Sequence, residues 1–153
     1  MDAFTLLKQD HQQAAQTLQQ LVAAEEGAPE RQQLFNELKQ ALDVHAHIEE
    51  TIFYPVLKQE AATREITLEA YGEHQEIKDL LKQLSDTPPE GNAWDNLVSD
   101  LKRDIEHHVK EEETEMFPKA QSVLSAQQLQ ELGARMEQEK QQQLQQPKAA
   151  SAS

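Results

Sequence analysis

Polar residues interrupt apolar helical stripes in this chain, and they do so in a pattern that repeats. Four stretches carry apolar residues at alternating spacings of three and four, the signature of a helix with one face in a core. The first seam is Phe4, Leu7, His11, Ala14, Leu18 and Leu21, and the second is Leu34, Leu38, Leu42, His45, Glu49, Ile52 and Val56. The third is Thr67, Ala70, His74, Ile77, Leu81 and Leu84, and the fourth is Leu97, Leu101, Ile105, His108, Glu112 and Met116. Strand-like alternation is absent. Every seam contains a histidine, and the second and fourth also contain a glutamate.

A shift of 63 residues superimposes the halves: His11 falls on His74, His45 on His108, Glu49 on Glu112 and Pro55 on Pro118. Leu18, Leu21, Leu34 and Leu38 fall on Leu81, Leu84, Leu97 and Leu101, and Glu50-Thr51 falls on Glu113-Thr114. The expected fold is therefore all-α, an antiparallel up-down four-helix bundle built from two copies of one helical hairpin.

Helix boundaries follow from caps and breakers. Asp2 is expected to cap a first helix running to about Glu25, and Pro29 to open a second reaching Gln59 across Pro55. Thr63 is expected to cap a third ending near Asp86, and a fourth runs from Ala93 to Ser122 across Pro118. Ser125 is expected to cap a Gln-rich fifth segment. The domain reading is thus a bundle over 1–122, a helical extension over 123–146 that either caps the bundle or dimerises, and a disordered tail over 147–153.

Residues four apart on a helix lie one turn apart on the same face. His45 and Glu49, like His108 and Glu112, therefore present a nitrogen and a carboxylate in one direction. With His11 and His74 added, four imidazoles surround two carboxylates. Burying two carboxylates together with no Lys or Arg in register costs several kcal/mol or more. Two cations reverse that sign, each carboxylate bridging both, and a nitrogen–oxygen donor set suits iron, manganese or zinc. A lone histidine in an apolar stripe is more often a satisfied core residue; six donors recurring under one shift decide for metal. His47 and His107 lie off the seams and are read as non-ligands. Glu50 and Glu113 recur about 100° away from the ligand row, as hydrogen-bond partners of a ligand histidine or as solvated charges.

Composition narrows the function classes. The net charge of −14 opposes encounter with nucleic acid or an anionic membrane. No cysteine is present, which excludes thiolate sites and cysteine nucleophiles. Neither a signal peptide nor a membrane-length apolar run is apparent, so a cytoplasmic location is expected.

These motifs resemble the hemerythrin-like family, the HHE cation-binding domains, over about residues 4 to 122. The resemblance rests on Asp10-His11, His45-Ala46-His47-Ile48-Glu49-Glu50 leading to Phe53-Tyr54-Pro55, Glu73-His74, and His108-Val109-Lys110-Glu111-Glu112-Glu113 leading to Met116-Phe117-Pro118. It implies an oxo- or hydroxo-bridged di-iron centre, with manganese or zinc as the lesser alternatives. His11 and His45 would bind one iron, His74 and His108 the other, with Glu49 and Glu112 bridging. The oxygen carriers place a second histidine one turn after the third-helix ligand, and here Lys78 stands there. One iron thereby gains a position for water, Tyr71 or another side chain. The carriers' spacing selects Glu113 as the last carboxylate, whereas the repeat selects Glu112. The Glu-x-x-His pairs of ferritin-like centres are missing.

The resemblance implies a protein that binds O2, NO or peroxide in oxygen, iron or oxidative-stress handling. An enzyme consuming peroxide or NO, with Tyr54 or Tyr71 as proton or electron donor, is the alternative. A helical interaction module with a structural metal is the second alternative. Oligomeric state stays open.

Overall fold

The computed structural model describes residues 1–146; the expected tail over 147–153 lies outside the described residues. Helix α1 spans Ala3–Ala23 and α2 spans Pro29–Ile48, which continues through a π-helical turn, π1, at Glu49–Phe53 into α3, Tyr54–Gln59. Helix α4 spans Ala61–Ser85 and α5 spans Gly91–Glu111, continuing through π2, Glu112–Met116, into α6, Phe117–Val123. Helix α7 spans Ala126–Gln145. Since each π turn continues its helix, these segments form five rods, with no strand among the described residues.

Local chemistry sets most boundaries. The Asp2 side chain accepts from the Thr5 amide at 2.8 Å, and Pro29 occupies the first turn of α2. Ser125 and Gln128 form a reciprocal capping box at the start of α7. Gly91 opens α5 at φ +85°, a conformation that disfavours any residue with a Cβ. The expected cap at Thr63 is not found. Glu60 holds the N-cap position of α4 without a side-chain bond, and the buried Thr63 hydroxyl donates instead to the Leu57 carbonyl at 2.5 Å. That bond ties the sharp α3–α4 corner.

The prolines explain the π turns. Pro55 and Pro118 have no N–H to donate, and their rings clash with the carbonyl four residues back. The chain widens one turn earlier, so the Tyr54 amide donates to Glu49 O and the Phe117 amide to Glu112 O, five residues back. The extra residue rotates everything after it. Phe53, Tyr54 and Leu57 become fully buried, while Val56, expected in the seam, is only half-buried.

Helices α1 and α2 pack as one hairpin and α4 and α5 as another. Two apolar clusters result. One holds Leu18, Leu21, Phe35, Leu81, Trp94 and Leu101. The other holds Leu7, Phe53, Leu57, Met116 and Phe117, together with Leu129, Leu132 and Met136 of α7. Between them lies a polar layer of His11, His45, His74, His108, Glu49 and Glu112, all buried. Helix α7 packs on α1, α2 and π1, so it covers this assembly. No described helix is long and apolar enough to cross a membrane.

Candidate metal centre

All six expected donors meet in that polar layer. Glu49 and Glu112, at 0 and 1% exposure, each begin a π turn, while the four histidines come from the middle of α1 and α4 and the last turns of α2 and α5. His11 Nε2 lies 3.0 Å from Glu112 Oε1, and His45 Nε2 lies 3.1 Å from Glu49 Oε1. On the other side, His74 Nε2 lies 3.1 Å from Glu49 Oε1 and His108 Nε2 lies 3.4 Å from Glu112 Oε2. The donors fall into two groups, His11–His45–Glu49–Glu112 and Glu49–His74–His108–Glu112, which share both carboxylates.

Each histidine is held from behind by a carboxylate of a different helix. His11 Nδ1 is 2.6 Å from Glu113, His45 Nδ1 is 3.0 Å from Asp10, His74 Nδ1 is 2.7 Å from Glu50, and His108 Nδ1 is 2.6 Å from Glu73. An ionised carboxylate only accepts, so each Nδ1–H donates outward. In the neutral ring this leaves the Nε2 lone pair facing the centre, the tautomer a metal ligand needs. Glu50 and Glu113 therefore act as hydrogen-bond partners of ligand-type histidines and are not merely solvated charges. Asp10 and Glu73 have this role without having been assigned one from sequence, although they too superimpose under the 63-residue shift.

The architecture has counterparts. The family model for the hemerythrin HHE cation-binding domain matches residues 2–120. The chain belongs to this family. It is 31% identical over 137 residues to the uncharacterized protein Rv2633c of Mycobacterium tuberculosis, covering 89% of this chain and 83% of that one. A crystal structure of an HHE cation-binding domain-containing protein from Mycobacterium kansasii, described as an Rv2633c homolog, superimposes with a TM-score of 0.84 at 30% identity, covering 94% of this chain and 87% of that one. A DNA nickase of a Nostoc species shares 30% identity over 97 residues, only 27% of its own length.

The HHE centre's donors fit cations on a specific observation. His11 Nε2, His45 Nε2, both oxygens of Glu49 and Glu112 Oε1 are buried without a hydrogen bond of sound geometry. Lone pairs face lone pairs across about 3 Å, an arrangement that costs several kcal/mol unless positive charge enters. In the cation-free chain, protons supply that charge. Burial by itself lowers the pKa of His45 and His108, but nearby carboxylates overcome it. Glu49, Asp10 and Glu112 raise His45 well above its ordinary value, and Glu112 and Glu73 raise His108 to about 10. Glu112, which burial alone would raise, is held well below the ordinary carboxylate range by His108 and His11. Metal ions would displace these protons and take over their role.

Tyrosine enters this HHE centre from one side only. The Tyr54 hydroxyl donates to Glu112 Oε2 at 2.5 Å and lies 3.3 Å from His74 Nε2 and 3.5 Å from His108 Nε2. Burial, reinforced by Glu112 and Glu49, raises its pKa well above 10, so it stays protonated. Tyr71 is not brought in: its hydroxyl goes to the Glu50 carbonyl at 3.4 Å. Lys78, at the position where carriers have a histidine, bonds both Glu50 oxygens at 3.0 and 3.1 Å. On the face away from Tyr54, a cavity of about 40 Å³ reaches the four histidines between Ala14, Leu42, Ile77, Leu81, Ile105 and Val109. His47 and His107 stay outside the centre, His47 pairing with Glu139 of α7 at 2.7 Å and His107 lying exposed beside Glu73 and Glu111.

Proposed function

We propose that this HHE protein holds two iron ions, one on His11 and His45 and one on His74 and His108, with Glu49 and Glu112 bridging, and that it binds a small diatomic or peroxide. Residues 1–122 form the four-helix bundle of two repeated hairpins, 123–146 the added helix, and the protein works in the cytoplasm. The observation that carries the reading is the pair of four-donor groups sharing two buried carboxylates, with unsatisfied Nε2 and Oε atoms facing inward. Six nitrogen and oxygen donors without sulfur suit iron ahead of softer metals.

Two irons would supply an exchangeable coordination position and redox chemistry; the chain supplies the rest. Outer carboxylates orient the rings, and burial excludes bulk water. The cavity of about 40 Å³ beside the four histidines has room for O2, NO or H2O2. Its apolar walls favour the uncharged diatomics. Lys78 turned to Glu50 leaves the second cation one nitrogen short of the carriers' set, which speaks for ligand handling other than long-term oxygen carriage.

The Tyr54 hydroxyl supports a second reading, turnover of peroxide or NO, because it keeps a proton at 2.5 Å from Glu112 in the centre. Iron analysis together with absorption spectra before and after O2, NO and peroxide tests both readings. About two irons per chain and a reversible optical change are expected for binding, and sustained consumption for turnover. A chain that takes up no iron when supplied with it overturns both.

A further inference from the structure

Helix α7 lies beyond the matched family domain, yet one of its side chains touches the metal centre's support. Lys140 Nζ is 2.7 Å from Asp10 Oδ1, and Asp10 Oδ2 is 3.0 Å from His45 Nδ1. We propose that Lys140 is a positioning residue for the first cation site: by holding Asp10 it fixes the ring of His45 and moderates its donor strength, so that the docking of α7 sets the properties of that site. The inference rests on the di-iron reading above.

The geometry singles out this contact among the four outer pairs. The Asp10 side chain is 8% exposed, against 21–31% for Glu73, Glu50 and Glu113. So deep a carboxylate needs a full countercharge, and a neutral imidazole does not provide one. A carboxylate accepting from Nδ1–H pushes electron density into the ring and strengthens Nε2 as a donor, and a cation on its other oxygen draws that density back. The second half supplies a contrast: among the described residues no lysine pairs with Glu73, the counterpart of Asp10, whose second oxygen lies 3.4 Å from the exposed His107. Helix α7 is also seated tightly on α1 about two turns before Lys140, because a Cβ at Gly133 would collide with the Met1 carbonyl and the start of α1.

The test uses the full iron-loaded chain and four proteins: wild type, Lys140→Met, Lys140→Arg and Glu139→Gln. Glu139→Gln is the control, since Glu139 latches the same helix to His47 without contacting any outer carboxylate. The readouts are the iron absorption spectrum, the rate at which iron passes to a chelator, and the melting temperature. Lys140→Met is expected to shift the spectrum, as His45 becomes the stronger donor, and to speed release of one iron of the pair about tenfold, because an unheld Asp10 no longer fixes the His45 ring and that loss outweighs the gain in donor strength. Lys140→Arg is expected to restore both, and Glu139→Gln to keep the wild-type spectrum even where its melting temperature falls as far. Lys140→Met and Glu139→Gln behaving alike in spectrum and release overturns the inference while leaving the di-iron reading intact. Wild-type protein that binds no iron overturns the di-iron reading itself, and the inference with it.

Discussion

The two halves of the chain contribute the same inward donors and differ in what stands beside them. Each supplies two histidines and one glutamate, and each aims its glutamate from the first residue of a π turn. Beyond the turn the halves part. Tyr54 of the first half corresponds to Phe117 of the second, and Tyr54 crosses over to the second half's histidines, His74 and His108. Phe117 instead stacks near His11, its ring centroid 6.4 Å away. The outer carboxylates diverge as well: Asp10 and Glu50 are backed by Lys140 and Lys78, whereas among the described residues no lysine pairs with Glu113 or Glu73. The two halves thus match in the inward donor layer, where each side chain is buried against the others, and differ in its surroundings. The difference teaches that two equivalent donor groups are made distinct by their neighbours.

The largest effect should come from removing what both halves share. Glu112→Ala is expected to release both irons, whereas His45→Ala should release chiefly the first and His108→Ala chiefly the second, read by iron content per chain. Losing metal bound at a hundred to a thousand times its dissociation constant removes about 3–4 kcal/mol, or roughly 10 °C of melting temperature in a chain of this size. Equal iron loss in all three variants would break the division into two sites.

Next in size is the tyrosine. Tyr54→Phe makes the halves alike at that position and removes the proton held at Glu112. Any peroxide or NO turnover is expected to fall about 10²-fold, with iron content unchanged. Unaltered turnover would take Tyr54 out of the chemistry.

Removing the metal exposes the protons that replace it. His108 in the folded cation-free chain titrates near 10 against an ordinary 6.5, so its contribution is complete below about 6.5 and lost as pH rises through about 10. The metal-free melting temperature is expected to fall between pH 7 and 10, while the iron-loaded protein, already stripped of those protons, should stay flat. Parallel curves for the two forms would contradict the exchange of protons for metal.

The smallest effect should be Lys78→Met. Its side chain is 41% exposed, so its pair with Glu50 is worth less than about 1 kcal/mol. Its spectral shift should be smaller than that of Lys140→Met, whose partner is nearly buried. A larger one would reverse the ranking of the two lysines.

Much of this was legible in the chain alone. Apolar spacing marked the helices, Pro29 and Ser125 marked two of their starts, and the 63-residue shift marked the six donors. Reading failed first at the π turns. Three–four spacing assumes a uniform helix, and the widened turn before each proline advances the pattern by one residue, burying Leu57 in place of Val56. The same rotation brings Tyr54, five residues after Glu49, to the centre, where an unbroken α-helix would point it elsewhere.

What the sequence by itself determined is local: the helical faces, the His and Glu one turn apart, and their recurrence. Those depend on the geometry of a single helix, which neighbouring residues dictate. Only the tertiary structure decided which carboxylate backs which histidine, since Glu113 reaches His11 across 102 positions and Lys140 reaches Asp10 across 130. Such partners are chosen by how separate helices pack, and no periodicity along one helix encodes the side chain that a distant one presents.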